Sequence, residues 1–338
     1  LTGQVKTLTA GVAILTLQVK DNPSDKDTYY VVVKPEKAPA NCTAETTYNT
    51  VSLNWAKAAD ADGYTITRKV EGADTEQTIA HVDGVDAVSY KDTGVQTGII
   101  YIYHVYAYTK YTNNGQQDYA NTDTYATIKA APQLGKAALT SVTAEGYSSL
   151  TLKWEKVDGA TGYIVYRSTD KSKVDTQIMD ITNGAVSYVD TALTAGNTYY
   201  YKVQPYCVVN GKKVYGDASG ILSGKPLPSA TKLNAESAGY KEVNLTWSAV
   251  DGVTGYEVYR KTSSSSYKKI ATVAGEKTGY SDTKVTAGTA YTYKVRAYKT
   301  VNGSQVYGDY SNESTATPAL EAPQIALKNA SYNSVTIT

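Results

Sequence analysis

The chain has 338 residues and is almost electrically neutral, with 33 Lys and Arg against 32 Asp and Glu. That balance leaves no basic stripe for nucleic acid, so no nucleic-acid partner is expected. The apolar runs are of strand length, so no membrane span is expected in this segment either.

The first patterned region lies between residues 11 and 35. It contains the runs GVAILTLQV at 11–19 and YYVVVKP at 29–35. Both are short and rich in β-branched residues, which predicts two strands. Together they resemble the end of a bacterial immunoglobulin-like group 2 domain. The resemblance implies that residues 1–35 are the C-terminal part of a domain that differs from the rest of the chain.

Three copies of one pattern occupy most of the remaining chain. Each copy has a tryptophan at the end of an alternating apolar run, and these tryptophans are 99 and 93 residues apart. A fixed period of this length indicates repeated small all-β domains. In the run VNLTW at 243–247 every second residue is apolar, so one face of the strand can be buried. The three tryptophans, predicted to lie between sheets, are Trp55, Trp154 and Trp247.

Further motifs recur in fixed order within each copy. A Gly-Tyr strand ending in Arg is followed by Tyr-x-Asp, then by Gly-x-x-Tyr-x-Tyr-x-Val, and an Asn-Gly pair closes the cycle. Asn-Gly between β-rich runs predicts a type I′ hairpin. The recurring aspartates predict turns bonded through the carboxylate. No stretch shows sustained helical periodicity, so the predicted fold is all-β, with tandem β-sandwiches. The hairpin pairs are Asn114-Gly115, Asn210-Gly211 and Asn302-Gly303, and the aspartates are Asp92, Asp190 and Asp282.

These motifs resemble those of fibronectin type III domains, especially the bacterial version. The resemblance implies three seven-stranded sandwiches, and prolines between the copies place them at 38–131, 132–227 and 228–319, here called the first, second and third repeats. Residues 320–338 resemble the start of a further repeat, in a register that predicts tryptophan after Thr338. The resemblance also makes three residues tyrosine corners, whose hydroxyls bond to backbone: Tyr101, Tyr199 and Tyr291.

Catalytic chemistry is not expected from this sequence. His81, in a loop-like segment, and His104, on an outward strand position, do not recur in the other copies. The run Asp60-Ala-Asp62-Gly63 lacks the later glutamate of a calcium loop. Cys42 and Cys207 fall in different repeats and are predicted to be isolated thiols. We therefore expect no catalytic, cofactor-binding or metal-binding residue, and no enzyme activity in this segment.

The tyrosines suggest a contact surface instead. Strand alternation predicts that Tyr166, Tyr206, Tyr259 and Tyr298 face outward. Exposed tyrosines can stack on sugar rings or contact a protein. The alternative is that these rings form cross-strand pairs and stabilise their own sheets by roughly 0.2–1 kcal/mol each.

Several functions fit an array of such domains. The first is a structural spacer and interaction segment of a longer extracellular bacterial surface protein, with a protein or a cell-wall glycan as partner. The second is a set of accessory domains in a secreted enzyme that acts on glycans or peptidoglycan. The third is a structural protein of a phage or an extracellular filament, in which the chain self-assembles. The extracellular bacterial location is what the resemblance implies.

Overall fold

The structure, a computed structural model, describes residues 10–19, 22–113, 115–320, 327–331 and 334–337. No helix occurs in these ranges, which confirms the all-β prediction. The expected hairpin residue Asn114, and Thr338 at the end of the predicted further repeat, lie outside the described residues.

Two antiparallel strands precede the first repeat. They are β1 (Gly11–Val19) and β2 (Asn22–Val33), with Gly11 paired to Val33. The strand prediction is thereby confirmed, whereas the resemblance to an immunoglobulin-like group 2 domain stays a prediction. The end of β2 touches the first repeat, because the Thr109 hydroxyl donates a hydrogen bond to the Val33 carbonyl at 2.8 Å.

The first repeat consists of a three-stranded and a five-stranded antiparallel sheet. Its strands are β3 (Thr43–Thr46), β4 (Val51–Asn54), β5 (Gly63–Val70), β6 (Gln77–Asp83), β7 (Ser89–Asp92), β8 (Tyr101–Asn113), β9 (Gln116–Asn121) and β10 (Ala126–Ala130). The smaller sheet has the order β3-β4-β7. In the larger sheet β8 pairs with β5 on one edge and with β9 and β10 on the other, while β6 flanks β5.

The other two repeats have the same sheet order. The second repeat comprises β11 (Leu139–Ala144), β12 (Leu150–Trp154), β13 (Gly162–Ser168), β14 (Thr176–Ile181), β15 (Ser187–Asp190), β16 (Tyr199–Val209), β17 (Lys212–Tyr215) and β18 (Leu222–Gly224). The third comprises β19 (Leu233–Gly239), β20 (Glu242–Trp247), β21 (Gly255–Lys261), β22 (Lys268–Ala274), β23 (Gly279–Asp282), β24 (Tyr291–Val301), β25 (Ser304–Tyr310) and β26 (Ser314–Ala316). The smaller sheets are β11-β12-β15 and β19-β20-β23, and the larger are β14-β13-β16-β17 and β22-β21-β24-β25, with β18 on β16 and β26 on β24.

Each repeat therefore has eight strands rather than the predicted seven, because its last strand is interrupted. Between β17 and β18, Ser219 forms hydrogen bonds to β16 with both its backbone and its side chain. Its amide donates to the Val203 carbonyl at 2.8 Å, and its hydroxyl accepts from the Val203 amide at 3.0 Å. Ser311 makes the same pair of bonds with Val295 in the third repeat.

A separate core fills the space between the two sheets of each repeat. In the second repeat Trp154 is 4% exposed, and its ring centroid lies 5.5 Å from that of Tyr163 in an edge-to-face arrangement. The Tyr163 hydroxyl accepts a hydrogen bond from the Val157 amide at 2.8 Å. The equivalent pairs, Trp55–Tyr64 and Trp247–Tyr256, have centroid distances of 5.2 and 5.4 Å.

The hairpins and the last two strands complete the fold. Asn210 and Gly211 have φ of 50° and 75°, and Asn302 and Gly303 have 48° and 81°, as a type I′ turn requires. Strands β27 (Leu327–Ser331) and β28 (Ser334–Ile337) form an antiparallel pair. The predicted strand through residues 335 and 337 is therefore present.

Candidate interaction surface

A buried aspartate anchors the same cluster in every repeat. In the first repeat the Asp92 carboxylate lies 2.7 Å from Nη1 of Arg68 and accepts a hydrogen bond from the Tyr103 hydroxyl at 2.9 Å. Its other oxygen accepts from the Gly94 amide at 2.9 Å, which is the expected turn bond. The equivalent groups are Arg167, Asp190 and Tyr201 in the second repeat and Arg260, Asp282 and Tyr293 in the third.

This cluster contributes to folding, because it uses the carboxylates of Asp92, Asp190 and Asp282 for contacts inside each repeat. The Asp92 and Asp190 side chains are each 5% exposed, and that of Asp282 is 2% exposed. Burial, followed by the hydrogen bond to Asp92, raises the pKa of Tyr103 far above its ordinary value. Sequence reasoning found the turn bond but missed the arginine, since the two residues are 24 positions apart and become neighbours only when the two sheets pack against each other.

The three residues expected at tyrosine corners make backbone hydrogen bonds five residues upstream. The hydroxyl of Tyr101 accepts from the Gln96 amide at 3.0 Å. The same bond, again at 3.0 Å, joins Tyr199 to the Thr194 amide and Tyr291 to the Thr286 amide.

Two tyrosines of the expected contact surface are buried. Tyr206 is 2% exposed and Tyr298 is 7% exposed. The expectation that these two rings are available to a partner is therefore wrong. Tyr206 does lie on the outer face, meaning the face of the larger sheet turned away from the smaller sheet, but the residue paired with it is Gly162. A Cβ on Gly162 would lie 2.4 Å from the Tyr206 ring, so the ring covers the space that a side chain would fill.

Neighbouring side chains enclose the Tyr206 ring. Its hydroxyl donates to Asp180 at 2.9 Å, and the Lys213 ammonium lies 4.1 Å from the ring centroid. Burial and then the Asp180 carboxylate raise the pKa of Tyr206. Tyr298 pairs with Gly255 in the same way, and Tyr108 with Gly63. These rings stabilise their own sheet, as the alternative interpretation proposed.

The other two expected contact residues are half-buried on the outer face. The Tyr166 hydroxyl donates to Gln204 at 3.1 Å, and the Lys202 ammonium lies 5.1 Å from its ring centroid. Tyr259 donates to Glu257 at 2.6 Å, and its ring lies edge-to-face with that of Tyr310 at 5.4 Å.

The outer face of the third repeat carries a buried carboxylate. The Glu257 side chain is 2% exposed and accepts hydrogen bonds from four donors, Tyr259 at 2.6 Å, Arg296 at 2.7 Å, Lys269 at 2.9 Å and Tyr307 at 3.2 Å. Burial by itself raises the pKa of Glu257, but the bonds from Tyr259, Arg296 and Lys269 outweigh it and lower that pKa to about 2. The Arg296 guanidinium also lies 3.6 Å from the Tyr307 ring centroid.

Both histidines lie in strands of the first repeat. His81 is in β6 rather than a loop, stacked on Tyr119 with ring centroids 3.7 Å apart. His104 is on the outer face as expected, but it is only 8% exposed because Glu76 and Tyr125 cover it. Among the described residues no group of three or more His, Cys, Asp or Glu is placed to hold a metal ion.

The tyrosines that are available to a partner differ from the expected set. Among the residues whose side chains are described, the most exposed tyrosines are Tyr125 at 47%, Tyr215 at 48%, Tyr240 at 46% and Tyr310 at 38%. Tyr215, Tyr310 and Tyr125 lie near the outer face, next to Tyr206, Tyr259 and His104 respectively. Sequence alternation could not find them, because exposure depends on which neighbours cover each ring. Cys42 and Cys207 are free thiols, as predicted, and no helix in the described ranges could cross a membrane.

Most of this chain is similar to parts of two bacterial enzymes. It is 27% identical over 308 residues to "Exoglucanase B" of Cellulomonas fimi, covering 84% of this chain and 26% of that protein. It is 27% identical over 307 residues to "Amylopullulanase" of Thermoanaerobacterium saccharolyticum, covering 77% of this chain and 23% of that protein. The chain thus spans about a quarter of the length of these relatives.

Parts of this chain are also similar to individual fibronectin type III domains of other proteins. Among solved structures, a two-domain fibronectin type III segment of chicken tenascin is 18% identical with a TM-score of 0.37, covering 56% of this chain and 98% of that one. Residues 235–316 match the family described as the fibronectin type III domain, SaeA third domain. The first two repeats have the motifs and sheet order of the third, so all three repeats are similar in fold to the domain that this family describes.

Proposed function

We propose that the chain is a non-catalytic spacer and contact segment of an extracellular bacterial protein that degrades polysaccharide. The observation that carries this proposal is the similarity of most of the chain to about a quarter of an exoglucanase and of an amylopullulanase. Their names specify a catalytic activity, and three quarters of each protein lie outside the similar region. In this proposal the catalytic domain likewise lies outside the repeats.

The connections between repeats support a spacer role. Each linker contains a proline whose carbonyl accepts a hydrogen bond from a glycine amide in the preceding repeat. These bonds join Gly98 to Pro132 at 2.8 Å, Gly196 to Pro226 at 2.9 Å and Gly288 to Pro318 at 3.0 Å. A linker held at its start and stiffened by proline restricts the angle between neighbouring domains.

The recurring polar residues also support a non-catalytic role. General acid–base catalysis on a glycoside needs two carboxyl groups placed on either side of the bond to be cleaved. The three recurring aspartates are instead buried, and each is paired with an arginine and a tyrosine. Their carboxylates form ion pairs and hydrogen bonds between strands of the same repeat.

The exposed tyrosines supply the proposed contact. Tyr125, Tyr215 and Tyr310 present apolar ring area with a polar hydroxyl, which suits stacking on sugar rings. Their position on one face of each repeat would place them along a polysaccharide surface or a protein. This set replaces Tyr206 and Tyr298, which are buried.

The second candidate is the stalk of a cell-surface protein without polysaccharide-degrading activity. The anchored linkers favour it equally, because a stalk also needs length and stiffness. The flanking sequence separates the two candidates, since a glycoside hydrolase domain supports the first and a wall-anchoring motif supports the second.

The experiment compares the full-length protein with a version lacking residues 38–319. We expect hydrolysis of a soluble oligosaccharide to be unchanged and hydrolysis of an insoluble glucan to fall severalfold. A version with an unrelated rigid spacer of equal length separates the effect of length from that of surface contact. Loss of activity on the soluble substrate would contradict the non-catalytic role. A full-length protein inactive on all polysaccharides would favour the stalk.

A further inference from the structure

The two places where one repeat meets the next are built alike. The first turn of a repeat, between its first two strands, carries a tyrosine, and the second turn of the following repeat, before its Gly-Tyr strand, carries a glycine. A Cβ on Gly159 would lie 2.3 Å from the Tyr48 ring, and one on Gly252 would lie 2.2 Å from the Tyr147 ring. Each tyrosine therefore occupies the space that a side chain on the next repeat would need.

A second contact recurs beside the first. A Cβ on Gly98 would lie 2.6 Å from Val214 of the second repeat, and one on Gly196 would lie 2.8 Å from Val306 of the third. Val214 and Val306 occupy the same position after the Asn-Gly pair of their hairpins. Both joints thus use two glycines, one tyrosine and one valine at matching positions.

The joint between the second and third repeats has an additional cation. The Lys299 ammonium donates to the Gly252 carbonyl at 2.5 Å and lies 4.6 Å from the Tyr147 ring centroid. The turn that carries Tyr147 is held to its own repeat, because the Leu193 amide donates to the Ser148 carbonyl at 2.9 Å. The tyrosine therefore projects from a fixed turn onto the neighbouring repeat.

The first repeat differs at the glycine position. Its second turn has Asp60 there, with φ of 58°, where Gly159 has 79° and Gly252 has 66°. Asp60 is exposed, and the strands described before this repeat are β1 and β2. The backbone conformation is thus common to all three described repeats, and glycine occurs at this position in the two repeats where a tyrosine covers it.

We propose that the first-turn tyrosine and the second-turn glycine form a joint by which one repeat binds the next, and that Tyr240 is the open tyrosine half of a third joint. Tyr240 occupies the first turn of the third repeat and is 46% exposed, and Leu320, 75% exposed, lies beside Gly288. The occupant is the repeat that begins with β27 and β28, with glycine at its second turn. A second copy of this chain does not fit, because within the three described repeats the second turn that no tyrosine covers carries Asp60.

The inference deepens the proposed function, since it rests on the spacer role for its purpose. Its test needs neither a catalytic domain nor a polysaccharide, so failure of one proposal is distinguishable from failure of the other. The measurement is amide hydrogen exchange, resolved by peptide, in the 338-residue chain carrying Tyr147→Ser or Gly252→Asp. Aspartate is chosen because Asp60 shows that this backbone conformation accepts it.

Both variants are expected to raise exchange at least tenfold in residues 145–149, 225–232 and 248–254, with the core strands of both repeats unchanged. The double variant should equal the single ones, because either change removes the same contact. Tyr240→Ser is the matched control and should leave exchange unchanged in those three segments. Wild-type exchange in either joint variant, or an additive double variant, would overturn the joint.

The open half is tested in the full-length protein. There, Tyr240→Ser is expected to raise exchange at least tenfold in the linker between β26 and β27, as Tyr147→Ser does in the linker before β19. Unchanged exchange in that linker would overturn the assignment of Tyr240.

Discussion

The inner and outer faces of the larger sheet differ in how much they vary among the repeats. On the inner face, Tyr103, Tyr201 and Tyr293 occupy one position and each is fully buried. On the outer face of the neighbouring strand, one position holds Thr65, Ile164 or Glu257, opposite Tyr106, Gln204 or Arg296. The inner residue must fit a closed core between two sheets, whereas an outer residue needs to match only its cross-strand neighbours.

On the outer face, the residue at one position and the residue opposite it differ together from repeat to repeat, and this has a physical cause. A buried carboxylate is stable only with charged or polar donors around it, so Glu257 occurs with Arg296 and Lys269. Ile164 requires no such partners, and Gln204 opposite it bonds instead to Tyr166 and to the Gly216 carbonyl. The outer faces therefore carry different residues in each repeat, while equivalent core positions carry residues of the same type.

The largest expected effect tests whether the inner faces are equivalent. Trp154→Ala and Trp247→Ala should each lower the free energy of unfolding of their own repeat by about 3–5 kcal/mol, because both leave a cavity between the sheets. Hydrogen exchange in increasing denaturant measures each repeat separately. A loss below about 1 kcal/mol in one repeat only would mean that the two cores are not equivalent.

The next effect separates rings that fill space from rings that lie on the surface. Tyr206→Ser should cost the second repeat about 3 kcal/mol, because it uncovers Gly162 and leaves Asp180 without its hydroxyl donor. Tyr166→Ser, on the same face, should cost under about 1 kcal/mol. Chemical unfolding of the two variants gives the comparison, and equal costs would contradict the assigned difference in burial.

A pH titration tests the charged outer face of the third repeat. The folded pKa of Glu257, about 2, lies below the value of about 4.3 in unfolded chains. Its contribution is therefore fully present above the unfolded value and is lost as the pH falls toward 2. We expect this loss to be on the order of 2–3 kcal/mol.

The matched variant for that titration is Glu257→Gln. It should lower stability at pH 7 and remove this part of the pH dependence, while the second repeat, with Ile164 at the position, is unaffected. Unfolding of the third repeat followed from pH 6 to pH 2 provides the measurement. The same acid-induced loss in wild type and variant would assign it to another group.

The smallest effect concerns a cation at the surface. Lys202→Gln removes an ammonium group 5.1 Å from the Tyr166 ring centroid and should cost about 0.5 kcal/mol, because water screens an exposed cation–π contact. Thermal unfolding at low and high salt measures it. A cost of several kcal/mol would mean that this face of the second repeat is organised as tightly as that of the third.

The sequence alone determined the repeats and their inner faces. Residue alternation before Trp154 and Trp247 and the Asn-Gly pairs are local properties of the chain, and they predicted the strands and hairpins that the structure contains. Alternation also placed Tyr206 correctly on the outer face. It could not predict that Tyr206 is buried, because the glycine beneath it belongs to another strand and meets it only through the register of the sheet.

Tertiary structure decided every contact between distant positions. The pairing of Arg68 with Asp92 depends on two strands in different sheets, and the donors around Glu257 come from four strands. The contact of Tyr48 with Gly159 joins two domains. Each of these residues has an ordinary local role, as a strand or turn former, so its motif predicts only that role. Its partner is set by packing, because burial free energy depends on which surfaces meet in space and not on their separation along the chain.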